Sequence, residues 1–213
     1  MANSNQTTVN FQTISQWNNE RGSKTSLKNI LQNAGNHFQF SFGDESVAQV
    51  HVYLSYDSDS QDLSFQVILA EQDTKENTQA VAIASAGQAK QQLPKPANEV
   101  GSNPHFIDYA TASQRVDDYM NDAKRNKWID NLFDNNLDVV QAFVVDATDF
   151  EPGDVYDCYL GLKDANNSQE IDLIIYNTSD SVLVGVRDMT RPIPPYKPIG
   201  GLSRDKFGAL DNI

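Results

Sequence analysis

The sequence predicts an α+β fold made of two tandem, diverged α-β-β-β-β repeats. Three observations carry this reading. An order of helix, strand, hairpin, strand, strand and proline exit runs from about residue 10 and again from about residue 108 of the 213-residue chain. The strand segments of the two stretches alternate apolar and polar residues. Most connections between strands have hairpin length, which makes each set an antiparallel meander packed on its helix. The expected organisation is a polar arm at 1–9, repeat one at 10–92, a proline-containing linker at 93–106, repeat two at 107–190 and a proline-rich tail at 191–213.

The helices come first. Asn10 and Asp108 open the two repeats, and helical spacing follows each. Ile14 and Trp17 precede a break at Gly22, after which Leu27, Ile30 and Leu31 fall at i, i+3, i+4. In the second repeat Val116, Tyr119 and Met120 are followed by Trp128, Ile129, Leu132 and Phe133. Ala34-Gly35 reads as a helix C-cap, and Asn135-Asn136 as its counterpart.

Strand one alternates at Phe38, Phe40 and Phe42, matched by Val140, Ala142 and Val144, with Asp44 and Asp146 closing each copy. Strand two puts Val50, Val52, Leu54 and Tyr56 on one face and Gln49, His51, Tyr53 and Ser55 on the other. Tyr156, Cys158, Leu160 and Leu162 take the first face in repeat two, and Val155, Asp157, Tyr159 and Gly161 the second. A slip of one residue would invert both faces, so their agreement is better evidence for the alignment than identity alone. Turns rich in Asp, Asn and Ser follow at Asp57 to Gln61 and Asp164 to Gln169. Strand three is Leu63 to Leu69 against Ile171 to Ile175, and strand four is Ala80 to Ala84 against Val182 to Val186. Pro94-Lys95-Pro96 and Pro195-Tyr196-Lys197-Pro198 are the exits.

Composition excludes several classes. A formal net charge of −13 argues against nucleic acid, whose recognition needs a basic surface. No apolar run reaches membrane-spanning length, and the first residues lack the apolar core of a signal peptide, which favours a cytoplasmic setting. Cys158 stands alone, so no intramolecular disulfide forms, and its place in an apolar strand face reads as structural. The three histidines, His37, His51 and His105, form no zinc spacing. No phosphate loop, dinucleotide fingerprint or nucleophile elbow is present, so neither a cofactor nor a catalytic residue is assigned.

The candidate contacts lie on the sheets. His51 and Asp157 hold equivalent positions, and a pseudo-twofold arrangement would let them approach as an imidazole–carboxylate pair. Tyr53 and Tyr159 are the paired aromatics beside them. Phe143, Val145, Ile174 and Tyr176 read as one apolar face away from the helix, to be covered by repeat one or by another subunit. Asp57, Asp59 and Asp62 offer oxygens at near-alternate positions, a weak cation pattern without the glycine and glutamate of a calcium loop. In the tail, Phe207, Leu210 and Ile213 are candidate anchors for docking.

In element order each repeat resembles the cystatin-like and NTF2-like group, in which a curved sheet wraps a helix. The leading functional expectation is a non-catalytic binding or assembly protein with a protein partner or self-association. The NTF2-like resemblance implies an alternative, a small-molecule-binding protein or enzyme with a pocket in the curved sheet. Net charge supports a third, an acidic inhibitor or immunity-type protein against a basic partner.

Overall fold

The four helices of the described residues each start at a side chain that accepts from the third backbone N–H beyond it, which satisfies a donor the helix leaves open. In this computed structural model Asn10 caps α1 (Phe11–Glu20), Ser23 caps α2 (Lys24–Asn33), Asp108 caps α3 (Tyr109–Met120) and Asn121 caps α4 (Asp122–Asp134). The structure describes residues 7–41, 48–74, 79–95, 106–146, 150, 153–165, 168–177, 186–187, 190–193 and 207–210. Phe42, Asp44, His105, Ile213, most of the expected strand Val182 to Val186 and most of the linker and tail lie outside the described residues.

Each expected helix is therefore a pair. α2 ends at Ala34 in extended backbone, so Gly35 is not the left-handed cap its sequence suggests. Its lack of a side chain has another cause: a β-carbon there would stand 2.1 Å from the Ala86 carbonyl oxygen. α4 does end as expected. Asn136 has φ 51, and the Leu137 and Asn136 amides donate to Leu132 and Phe133, the pattern of a Schellman stop.

The strands are β1 (Thr7–Thr8), β2 (His37–Ser41), β3 (Gln49–Asp57), β4 (Asp62–Leu69), β5 (Gln79–Ser85), β6 (Phe106–Ile107), β7 (Ala142–Asp146), β8 (Val155–Ala165), β9 (Ser168–Asn177), β10 (Val186–Arg187) and β11 (Thr190–Ile193). They form two antiparallel sheets, one ordered β1-β5-β4-β3-β7-β11 and the other β2-β8-β9-β10-β6. The hairpins β3–β4 and β8–β9 and the meander β3-β4-β5 follow the sequence expectation.

The first long strands do not. β2 pairs not with β3 but with β8, placing Phe38 beside Cys158 and Phe40 beside Tyr156. β7 pairs with β3, placing Phe143 beside Val52 and Val145 beside Val50. The first strand of each half thus completes the sheet of the other half. Two short strands, β1 and β6, were not foreseen, since two residues carry no periodicity. β11 falls at the start of the expected proline-rich tail, and its Pro192 is tolerated on this edge strand.

One core joins the sheets and both halves. It holds Val52, Leu54 and Phe65 of the first sheet, Phe38, Cys158 and Leu173 of the second, and the apolar stripes of α2 and α4. Phe38 and Phe65 stack across the layer with centroids 4.1 Å apart. α2 and α4 are joined by Lys24 and Lys28, both paired with Asp130. α1 and α3 cover the outer faces of the first and second sheet respectively. The apolar face expected from Phe143 to Tyr176 divides accordingly. Phe143 and Val145 lie in the shared core, whereas Ile174 and Tyr176 lie under α3. β7 is buried on both sides, so alternation could not reveal its phase.

Candidate functional site

Each outer sheet face carries a histidine, a carboxylate and a tyrosine. On the first sheet His51 and Tyr53 project from β3, two residues apart and so on one face. Their partner is Asp73, from the turn after β4. Asp73 Oδ2 lies 2.7 Å from His51 Nδ1 and also accepts from the Tyr53 hydroxyl. Asp73 Oδ1 accepts from the Ala209 amide at 2.8 Å. A carboxylate only accepts, so His51 carries its proton on Nδ1. His51 is 1 % exposed and Asp73 2 %. The His51 Nε2 atom has no hydrogen-bond partner among the described residues, and its ring stacks on Phe207.

On the second sheet the roles are reversed. Asp157 sits on β8, and its Oδ1 accepts from His37 Nε2 at 2.8 Å and Gln39 Nε2 at 3.0 Å, both from β2. His37 lies against the Tyr159 ring at 4.7 Å. Burial, with Asp157 nearby as the second cause, raises the pKa of the Tyr159 hydroxyl. The same two causes raise Tyr176, which stands opposite Asp157 across the strand pair. Further along β9, Asp172 is fully buried and meets Arg115 of α3 at 2.6 Å, which ties the helix to the sheet.

His51 and Asp157 are thus each engaged elsewhere, in different sheets. Tyr53 joins the His51 cluster, Tyr159 joins the Asp157 cluster, Phe143 is core and Ile174 is packed beneath α3. Asp57 Oδ1 accepts from the amides of Asp59 and Ser60, which holds its pKa below the ordinary value, and Asp62 accepts from Ser85. Among the described residues no three His, Cys, Asp or Glu side chains group as a metal site. Asp73 was missed because Glu71-Gln72-Asp73-Thr74 reads as a polar turn. His37 and Gln39 were missed because the pairing of β2 with β8, absent from any local pattern, brings them to Asp157.

A groove of about 160 Å³ runs between the helices and the β3–β4 hairpin, lined by Glu20, Asn29, Asn33, Tyr56 and Gln61. It is smaller than the roughly 300–1,000 Å³ of sites for drug-sized ligands. No helix among the described residues is long and apolar enough to cross a membrane. No family model matches this chain, and neither a curated protein nor a solved structure matches it.

Proposed function

We propose that the chain is a non-catalytic binding or assembly protein, built from two diverged copies of one β-α-α-β-β-β-β unit whose first long strands have changed places. The duplication is supported by strand order. Read from its short strand, the first sheet runs β1-β5-β4-β3-β7 and the second β6-β10-β9-β8-β2, the same sequence of positions. His51 and Asp157 then share one position, as do Tyr53 and Tyr159.

One observation carries the non-catalytic reading. The carboxylates that would orient a histidine for acid–base work are occupied in joining distant segments of the chain. Asp73 ties β3 to residue 209, and Asp157 ties β2 to β8. A buried imidazole stacked under Phe207 offers no approach to a substrate. The space between the sheets is filled by Phe38, Phe65, Leu54 and Leu160, where an NTF2-like enzyme would keep a pocket.

The test is a turnover screen of the full chain on ester, phosphoester, glycoside and peptide substrates, alongside Asp73→Asn and Asp157→Asn. Rates equal to buffer for all three proteins are the expected result. Turnover that either substitution abolishes overturns the reading.

A further inference from the structure

The outer face around Asp73 holds a segment of the same chain in a way that reads four successive residues. Phe207 stacks on His51 at 4.4 Å with an interplanar angle of 23°. The Gly208 amide donates to the Asp73 carbonyl at 3.2 Å, and the Ala209 amide donates to its Oδ1 at 2.8 Å. A β-carbon on Gly208 would stand 2.1 Å from the carbonyl carbon of Thr74, so position 208 excludes any side chain. Ala209 is wholly buried with Tyr53, Ile68 and Val9, and Leu210 packs beside it while its amide closes a turn on the Phe207 carbonyl. The accepted pattern is aromatic, glycine, small, aliphatic. Main-chain capture supplies affinity, and a position closed to all side chains supplies discrimination.

We propose that this face is a peptide-recognition seat, filled in cis by the chain's own residues 207–210. His51 and Tyr53 hold the Asp73 carboxylate in place from below, so the seat is set by the sheet and not by its occupant. β11 ends at Ile193, and about 13 residues separate it from Phe207. Extended chain covers up to about 3.5 Å per residue, far more than the roughly 5 Å steps across β7 to β3. That length of chain is more than enough to span from β11 to the seat. Being part of the same chain, residues 207–210 compete intramolecularly with a free peptide of the same sequence. The inference rests on the binding reading and deepens it by naming the peptide this face takes; the turnover screen tests that reading separately from the peptide titration below.

The experiment uses the full chain with Gly208→Val, which empties the seat, and a fluorescent peptide of residues 204–213, followed by anisotropy. The expected result is that the variant binds the peptide at least about tenfold more tightly than the unsubstituted chain, where the resident segment competes. A peptide carrying valine at the glycine position is expected to bind neither. Equal binding by both chains, or equal binding of both peptides, overturns the proposal. Amide exchange on the unsubstituted chain gives a second readout should the variant fail to fold. The Ala209 amide is expected to exchange at least about tenfold more slowly than an unstructured amide, and exchange at the free rate overturns the seat.

Discussion

Asp73 gathers three donors in a place that water does not reach: the His51 imidazole, the Tyr53 hydroxyl and the Ala209 amide. A buried donor left without its acceptor costs about 1–3 kcal/mol. Asp73→Ala is therefore expected to lower unfolding stability by about 3 kcal/mol, measured by urea denaturation, and to free residues 207–210 in the same step. A loss no larger than that of an exposed Asp59→Ala control would contradict the arrangement. Cys158 shows the opposite economy of contacts. Its side chain is fully buried in the shared core, and burial, with Asp157 as second cause, raises the pKa of the thiol well above its ordinary value. It fills space there as a small apolar group.

At the scale of elements, one join holds the edge strand β2 to the chain that leaves β5. The Gly35 amide donates to the Gly87 carbonyl at 2.8 Å, and the Asn36 side chain both donates to and accepts from the Gln91 backbone. Gly35→Ala places its new carbon against the Ala86 and Ala89 carbonyl oxygens and is expected to destabilise by about 2–3 kcal/mol, read from the thermal midpoint. On the other side, α1 reaches into the second half: Trp17 Nε1 donates to the Val140 carbonyl and Arg21 to that of Val139. Local elements were readable where one face met solvent or a cap had a characteristic side chain, as at Asn10, Asp108, Phe38 and Phe40. They were not readable at β7, where Ala142 to Val145 are buried on both faces and the phase came out inverted. Nor was pairing readable, because nothing in His37 to Ser41 marks a partner some 120 residues away. The site shared this limit, since Asp73 and Phe207 become neighbours of His51 only through tertiary folding.

At the scale of the molecule, the folded state opposes ionisation at high pH. Burial is the first cause that raises Tyr56, Tyr119, Tyr159, Tyr176 and Cys158. Groups raised in this way favour folding fully below their unfolded values, and that stability is lost as pH rises through them. The thermal midpoint is expected to fall from about pH 9 upward, together with the appearance of tyrosinate absorbance; a flat midpoint to pH 11 would contradict it. The pairing of β2 with β8 and of β7 with β3 also makes each half incomplete. Residues 1–100 and 101–213 produced separately are expected to remain unfolded, and produced together to form a 1:1 complex with the circular dichroism of the intact chain. Independent folding of either half would count against the shared core. This long-range pairing has a further consequence during synthesis. Val52 waits for Phe143, about 90 residues later, an interval of roughly 5–20 s at ribosomal rates of about 5–20 residues per second. Throughout it β3 presents an open apolar edge and β2 has no sheet to join, which is the state most prone to capture by a neighbouring nascent chain. The second half is in this sense the chaperone of the first, and codon changes that slow translation between residues 57 and 142 would lengthen the time the first half spends without it.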